Sequence, residues 1–296
     1  MAAPVALIGL GNMGLAVAER LLDADHRVLV YNRTAGRDDE LLARGAARLD
    51  APAAALQVAD VCLLTLADDS AVEHVAASVF SGARGGTTLV EMSTISVAAS
   101  ARVADAAAAC RVDYVRAPFS GNPTAVRSGK AVILASGERA TVERVTPLLR
   151  AIAPTVHDVG DGERARALKL VLQIIIGGTA ELLAEAIVLG EAAGLERRQL
   201  LEIVGASVVG STFVTYKTEP LLRDDYSATF TTTMMRKDVD LVLDLARENE
   251  VELPLTGELR GVLDAACEHG YRDDDFISVV KELKERSGAR TPTRDG

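Results

Sequence analysis

A glycine pattern near the start of the chain limits its possible folds more than any other feature. An apolar segment, residues 5–8, runs directly into Gly-Leu-Gly-Asn-Met-Gly, and residues 15–22 then have the spacing of an amphipathic helix. Three glycines spaced in this way make a tight turn, let the backbone approach a pyrophosphate and let the helix pack on the strand. The helix N-terminus also favours a phosphate. We therefore predict a dinucleotide site formed by Gly9, Leu10, Gly11, Asn12, Met13 and Gly14.

The first half of the chain alternates short apolar runs with alanine-rich segments of helical spacing. Strands are predicted at residues 5–9, 27–32, 60–66, 87–92, 112–117, 131–136 and 155–159. Helices are predicted between them, at residues 13–24, 38–44, 71–79, 96–110 and 140–151. This alternation is typical of β-α-β units around a parallel sheet. We expect an α/β Rossmann dinucleotide-binding domain over residues 1–162.

The alternation stops after residue 162, and every later segment has helical spacing. Helices are predicted at residues 163–194, 196–205, 211–216, 233–249, 254–267 and 276–286. We expect an all-α substrate and dimerisation domain, residues 163–286, joined to the first domain by its long helix. Residues 287–296 are polar and are predicted to form a disordered tail.

The end of the second strand indicates which dinucleotide is bound. An NAD site has an acidic residue there for the ribose 2′-hydroxyl, but this chain has Asn32, Arg33 and Thr34, followed by Arg37. The neutral amide does not repel a 2′-phosphate, and the guanidinium and hydroxyl groups offer donors to it. The cofactor is therefore predicted to be NADP.

Charge and cysteine content narrow the range of partners. The chain has 42 acidic and 32 basic residues, a formal charge of −10 that repels nucleic acid. Its 3 cysteines and 4 histidines lack ligand spacing, which predicts no metal site and a cytoplasmic location. The apolar residues 170–189 are interrupted by Gln173, Glu181 and Glu185, so we expect a buried helix and no membrane contact.

Five segments in order resemble the β-hydroxyacid dehydrogenase family of the 6-phosphogluconate dehydrogenase superfamily. They are the glycine pattern, Glu91-Met-Ser-Thr94, Ala117-Pro-Phe-Ser-Gly121, the helix that carries Lys169, and Lys237-Asp238. The family includes 3-hydroxyisobutyrate dehydrogenases and glyoxylate and succinic semialdehyde reductases. The resemblance implies an NADP-dependent dehydrogenase or reductase that acts on CH-OH groups of a small hydroxy acid, or on the matching semialdehyde or oxo acid.

The resemblance also assigns residues to the substrate and the cofactor. Residues similar to Ser120 and Gly121 hold the substrate carboxylate in this family. Asn122 is expected to bind substrate beside them and stands where a second glycine is more common. The chain's own pattern agrees, because this segment follows a predicted strand, at the edge where open α/β sheets bind ligands. Cofactor contacts are implied for three further residues: Leu66, Thr94 and Lys237.

Lys169 matches the catalytic lysine of the family. Reduction of a carbonyl needs a proton at the oxygen, and a lysine ammonium can be that general acid and stabilise the developing alkoxide. Apolar neighbours on the helix are expected to lower its pKa. Gln173 lies one turn further along the same face and is expected to bind substrate, although the family usually has asparagine there.

Two alternative functions stay open. An imine reductase-like enzyme would share the first domain, but such enzymes generally lack a lysine at the position of Lys169. A non-catalytic NADP-binding sensor or scaffold would bind NADPH without oxidising it. The adjacent Gly177 and Gly178 cost the long helix about 1 kcal/mol each, which favours close approach of another helix and predicts a homodimer through this helix.

Overall fold

The computed structural model describes residues 3–288. Most of the predicted tail, from residue 289 onward, lies outside these residues. The chain divides into two compact units, with the division between Lys169 and Leu170. The helix Arg164–Ala192 runs across that division, and the predicted domain boundary after residue 162 stays a prediction.

The main sheet of the first unit is fully parallel. Its strands, in chain order, are β1 Val5–Ile8, β2 Val28–Tyr31, β3 Ala47–Arg48, β4 Val61–Leu64, β5 Thr88–Glu91 and β6 Asp113–Arg116. Their spatial order is β3-β2-β1-β4-β5-β6, so the chain reverses its direction of growth at β1. Ligands of open parallel sheets bind at the carboxyl ends of the strands beside such a reversal. The predicted Rossmann fold is confirmed.

Helices and two apolar clusters cover this sheet. The helices are α1 Asn12–Asp23, α2 Asp39–Ala43, α3 Ala55–Val58, α4 Asp69–Ser81, α5 Val97–Ala109, α6 Pro123–Arg127 and α7 Arg139–Ile152. Side-chain caps begin four of these helices. At α4 Asp68 accepts from the Ala71 amide, and at α5 Ser96 accepts from the Ala99 amide. The short helices α3 and α6 and the strand β3 were not predicted, since they have too few residues for a periodic signal.

The last predicted strands of this unit do not join the main sheet. These two strands, β8 Val132–Ala135 and β9 Thr155–Asp158, form a separate three-stranded sheet with a short strand that was not predicted, β7 Phe119–Ser120. The pair β7 and β8 is antiparallel and the pair β8 and β9 is parallel. The expectation of one parallel sheet containing residues 131–136 and 155–159 is therefore wrong. The connection from β7 to β8 is too short for the long crossover that a parallel pair needs, so these two strands pair antiparallel.

The second unit is helical, as predicted. It contains most of α8 Arg164–Ala192, then α9 Arg197–Ala206, α10 Thr212–Arg223, α11 Thr232–Glu248, α12 Pro254–Ala266 and α13 Val279–Arg286. Helix α10 extends well beyond the predicted residues 211–216 and contains Pro220. A buried ion pair stabilises the added turns, since Lys217 Nζ lies 2.7 Å from Asp275 Oδ1 and both side chains are 2% exposed.

Helix α8 is buried on one side only. Leu170, Leu183 and Ile187 are at most 5% exposed, whereas Val171, Ile175, Leu182 and Leu189 are 47–72% exposed. We call these last four residues the α8 stripe. By length and composition alone this helix could cross a membrane, with a mean hydropathy of 1.7 in its most apolar window and 33% of that window buried. The expectation of a buried helix is therefore only partly correct.

The two adjacent glycines of α8 have different surroundings. A Cβ on Gly177 would lie 2.8 Å from Leu259 Cδ2, so the close neighbour of this residue is α12 of the same chain. A Cβ on Gly178 would meet no atom within 4 Å. Packing within the chain therefore accounts for Gly177, and the intermolecular contact predicted for Gly178 stays a prediction.

Candidate active site

The glycine loop joins β1 to α1 by contacts that only glycine permits. Gly9 has a φ of +96°, and a Cβ there would lie 2.2 Å from the Thr65 carbonyl oxygen. A Cβ on Gly14 would lie 1.8 Å from the Gly9 carbonyl oxygen. The Thr65 hydroxyl donates to that same oxygen at 2.6 Å. These two glycines are therefore required by the packing of strand, loop and helix.

Gly11 is different, because the protein itself does not require it. Its φ of −68° is open to any residue, and a Cβ there would meet no atom within 4 Å. It precedes the first turn of α1 and has no side chain to cap that turn. The exposed amide groups and the space beside Gly11 fit a pyrophosphate that approaches the backbone. The loop thus has the shape that a bound dinucleotide needs.

Asn32, at the end of β2, is tied into this loop. Its Oδ1 accepts from the Leu10 amide at 2.9 Å, and its Nδ2 donates to the Thr34 carbonyl at 2.9 Å. The amide side chain therefore connects the glycine loop to the segment after β2. Its oxygen and its nitrogen each form one hydrogen bond within the protein, and the side chain adds no negative charge to this corner.

Arg33, Thr34 and Arg37 are exposed beside it. Within residues 3–288, no carboxylate lies within ion-pair distance of either of these two arginines. The nearby Asp38 is buried and forms two hydrogen bonds with Arg48, which hold the pKa of Asp38 below its usual range. This corner therefore presents the exposed cations Arg33 and Arg37, because the negative charge of Asp38 is already paired with Arg48.

The loops after β4 and β5 are joined to each other. The Leu66 amide donates to Ser93 Oγ at 2.8 Å, and Thr94 is the next residue. The Ser93 amide donates to Glu91 Oε1 at 2.7 Å. Two of the three residues implied as cofactor contacts, Leu66 and Thr94, thus lie on connected loops at the carboxyl edge of the sheet.

The predicted carboxylate-binding segment comes after β6. Ser120 ends the short strand β7, and Gly121 has a φ of +135°, which side chains other than glycine rarely allow. Asn122 caps α6, because its Oδ1 accepts from the Ala125 amide at 2.9 Å. Only its Nδ2 remains to donate to a ligand. Asn122 therefore has a structural role in addition to the predicted one.

Lys169 lies near the beginning of α8 and is 8% exposed. Arg166, one turn earlier, is fully buried and pairs with the equally buried Glu91. It also donates to the Ser93 carbonyl oxygen. Neither Arg166 nor Glu91 was predicted to matter at this site. The sequence marked Glu91 only as part of a motif and Arg166 only as a charge in an apolar helix, and their partnership spans 75 residues.

In the second unit, Gln173 and Lys237 both contact Asp238. Gln173 Nε2 donates to Asp238 Oδ2 at 2.5 Å, and Lys237 Nζ lies 2.8 Å from Asp238 Oδ1. Gln173 is 3% exposed and Asp238 is fully buried. The fold thus brings together two residues that the sequence separates by more than 60 positions. The sequence marked Asp238 only as part of a motif.

The second unit also groups three residues to which the sequence assigned no chemistry. Ligand atoms of His269, Glu282 and Glu285 lie within 4.8 Å of one another. His269 Nδ1 contacts the buried Glu282 carboxylate, and this hydrogen bond raises the pKa of His269. The geometry could hold a cation, whereas no metal site was predicted.

Comparison with known families covers nearly the whole chain. The family model for the NAD binding domain of 6-phosphogluconate dehydrogenase matches residues 4–160. The model for the NAD-binding domain of NADP-dependent 3-hydroxyisobutyrate dehydrogenase matches residues 163–283. The chain belongs to the β-hydroxyacid dehydrogenase family and is an NAD(P)-dependent oxidoreductase of the CH-OH type.

Similar proteins agree with this assignment. The uncharacterized oxidoreductase YfjR of Bacillus subtilis is 31% identical, over 95% of this chain and 99% of its own length. The 2-(hydroxymethyl)glutarate dehydrogenase of Eubacterium barkeri is 28% identical, over 96% of each chain. The crystal structure of 3-hydroxyisobutyrate dehydrogenase from Salmonella typhimurium has a TM-score of 0.86 at 25% identity, over 95% of this chain and 100% of that one. An imine reductase from Pseudomonas shares the fold, with a TM-score of 0.65 at 22% identity, over 95% of this chain and 100% of that one.

Proposed function

We propose that this enzyme uses NADP(H) to interconvert a small hydroxy acid and the corresponding aldehyde or oxo acid, with Lys169 as general acid and base. The observation that carries the proposal is a lysine with 8% exposure in the unit that also holds the glycine loop. Lysine side chains are rarely so buried in folded proteins. Two similar proteins, 2-(hydroxymethyl)glutarate dehydrogenase and 3-hydroxyisobutyrate dehydrogenase, are named for hydroxy acid substrates. These names support a small hydroxy acid as the substrate.

The preference for NADP rests on the corner after β2. Arg33 and Arg37 are exposed cations there, and Asn32 provides no negative charge. A charge-assisted hydrogen bond to a 2′-phosphate contributes about 1.5 to 3 kcal/mol. NAD would leave these donors without an anion, so its binding gains nothing from them.

The glycine loop and the loops of Leu66 and Thr94 would hold the dinucleotide, which supplies the hydride chemistry when bound. The segment of Ser120 and Gly121 binds the substrate carboxylate through a hydroxyl and backbone amides. Lys169 then donates a proton to the carbonyl oxygen during reduction, which stabilises the developing negative charge, and it accepts that proton during oxidation. Burial excludes water from the lysine, so the proton passes to the substrate.

Two residues of the proposed substrate site, Asn122 and Gln173, differ from the pattern that is usual in the family. Asn122 keeps only its Nδ2 free of the cap on α6. Gln173, proposed as a substrate ligand, donates through Nε2 to Asp238, which fixes the orientation of its side chain. We propose that these two residues determine which small hydroxy acid the enzyme accepts.

The test is oxidation of NADPH and of NADH with glyoxylate, succinic semialdehyde, methylmalonate semialdehyde and tartronate semialdehyde. We expect at least one substrate to be reduced faster with NADPH. Lys169→Ala should lower kcat about 100-fold or more, because general acid catalysis contributes about 10²–10⁴-fold. The control Lys130→Ala removes an exposed lysine of the same unit and should keep wild-type activity.

Two other results would favour one of the alternative functions. Reduction of cyclic imines, with none of the four carbonyl substrates turned over, would favour an imine reductase-like enzyme. Binding of NADPH without turnover of either class would favour a sensor or scaffold. A Lys169→Ala variant within a few-fold of the wild type would contradict the role of the lysine.

We also infer a homodimer through the α8 stripe. Four large apolar side chains with 47–72% exposure on one helix would be shielded by the same stripe of a second copy, with Gly178 allowing a close approach. Leu182→Glu should then yield monomers in light scattering at micromolar concentration. Leu255→Glu, at an exposed leucine outside the stripe, should not change the mass. Wild-type protein that is monomeric, or that binds to neutral lipid vesicles, would overturn this inference.

The cytoplasmic location stays a prediction.

A further inference from the structure

The pair of Arg166 and Glu91 connects the helix of the lysine to the loop after β5. Both side chains have no exposed surface. One guanidinium nitrogen donates to the Glu91 carboxylate and another to the Ser93 carbonyl oxygen. The other Glu91 oxygen accepts from the Ser93 amide at 2.7 Å. The pair therefore holds both backbone polar groups of Ser93.

Stability alone is a weak reason for such a pair. Removing two charges from water costs several kcal/mol for each ion, and replacement of a buried pair by apolar side chains is often neutral or stabilising. Arg166 Nε also lacks a hydrogen-bond partner among residues 3–288. A guanidinium that is fully buried yet incompletely bonded is better explained by the geometry that it fixes.

The pair fixes the spacing between two parts of the site. Ser93 accepts from the Leu66 amide and precedes Thr94, so the loop it anchors is the one assigned to the cofactor. Arg166 is three residues before Lys169 on a continuous helix, a rise of about 4.5 Å. Planar guanidinium groups bind with more directional constraint than flexible ammonium groups.

We propose that Arg166 and Glu91 are positioning residues that set the distance between the Lys169 ammonium and the cofactor loops of Leu66 and Thr94. This inference rests on the proposed function. It adds two residues that do not touch substrate or cofactor and act through Ser93 and through the first turns of α8. Proximity effects make such positioning important, since a displacement of about 1 Å can slow a reaction about 100-fold.

The test compares two double variants of the full-length enzyme. Glu91→Gln with Arg166→Met removes both charges, so no buried ion is left alone, and the glutamine still accepts from the Ser93 amide. The control, Arg116→Met with Glu163→Gln, makes the same replacements in another largely buried pair, which joins β6 to the residue before α8. Both should fold, as judged by an unchanged circular dichroism spectrum.

We expect the first variant to lower kcat about 10- to 100-fold, with a larger primary isotope effect from NADPH deuterated at C4. The kcat of the control variant should stay within threefold of the wild-type value. A fully structural role would reduce the active fraction and leave the isotope effect unchanged. Equal kinetics for the first variant and the wild type, or equal losses in both variants, would overturn the proposal.

A second readout does not need turnover. Acetylation of Lys169 by acetic anhydride, measured by peptide mass spectrometry, should be slowed by NADPH in the wild type and in the control. In the first variant this protection should be lost. If the wild type reduces no substrate but shows this pattern, the proposed function fails and the positioning role stands. If NADPH does not protect Lys169 in the wild type, the positioning role fails.

Discussion

The amide nitrogen of Leu10 lies 2.9 Å from Oδ1 of Asn32, which joins the glycine loop to the end of the neighbouring strand. Asn32 also donates to the Thr34 carbonyl oxygen. A single side chain thus connects the glycine loop to the segment after β2. An asparagine can do this without charge, whereas an aspartate could accept from Leu10 but could not donate to Thr34.

Asn32→Asp should therefore change the cofactor preference. The new charge would repel a 2′-phosphate and could accept from a ribose hydroxyl. We expect the KM for NADPH to rise about 10-fold or more, since 1.4 kcal/mol corresponds to a factor of ten, and the KM for NADH to fall. Steady-state kinetics with both cofactors measures this. Parallel changes in both KM values would show that only the loop structure was affected.

Arg33→Ala tests the cation in the same corner. Loss of a charge-assisted bond should raise the KM for NADPH by about 10- to 100-fold, with less than a twofold change for NADH. Arg150→Ala removes an exposed arginine from α7 and is the matched control. Equal effects of Arg33→Ala on both cofactors would contradict the assignment of NADP.

Gly11 and Gly14 are expected to respond differently to alanine. Gly14→Ala places a Cβ 1.8 Å from the Gly9 carbonyl oxygen, so the Tm should fall and binding should be lost. Gly11→Ala meets no protein atom, so the Tm without ligand should stay within about 2 °C, a change of less than roughly 1 kcal/mol. Its Kd for NADPH should nevertheless rise at least about 10-fold, that is, by 1.4 kcal/mol or more. Fluorescence titration checks this, and wild-type affinity would mean that no ligand approaches Gly11.

The glycines of α8 form a second matched pair. Gly178→Ala should stabilise the helix by about 1 kcal/mol, because alanine favours helix and its Cβ would meet no atom of the same chain within 4 Å. Gly177→Ala should stabilise the protein less, because the new Cβ would lie 2.8 Å from Leu259 Cδ2 and Leu259 would have to move. Urea unfolding measures the free energy of unfolding of each variant. A dimer that weakens in Gly178→Ala, measured by light scattering, would place this residue in the interface.

Glu181 is expected to make stability depend on pH. Burial, and then the neighbouring Glu185 carboxylate, raise the pKa of Glu181 to about 7. The folded state therefore binds this proton more tightly than the unfolded state, whose pKa is near 4.5. The resulting stabilisation is complete below pH 4.5 and is lost as pH rises through 7.

Glu181→Gln should thus raise the free energy of unfolding at pH 8 by about 1 to 2 kcal/mol, a value reduced for partial solvent exposure. At pH 5 the effect should be small. Urea unfolding at both values measures it, with Glu202→Gln on the exposed face of α9 as control. A stabilisation that is equal at both pH values would show that Glu181 keeps an ordinary pKa.

Much of the fold could be predicted from local sequence signals. The strand, glycine turn and helix at residues 5–23 could be predicted from a contiguous motif, although the close contacts of Gly9 with Thr65 are seen only in the folded unit. The caps at Asp68 and Ser96 are likewise local. Residue spacing predicted the helical second unit, and a motif singled out Lys169.

Tertiary structure decided the features that depend on partners far along the chain. Strand β8 was predicted as a strand, but its pairing with β7 and β9 was decided by the path of the chain after β6. Helix α10 continues past Tyr216 because Lys217 meets Asp275, 58 residues away. Arg166 became part of the site only through Glu91, 75 residues earlier. Periodicity and motifs record the preferences of a segment by itself, whereas the partner of a buried charge is fixed only when the whole unit has folded and excluded water from it.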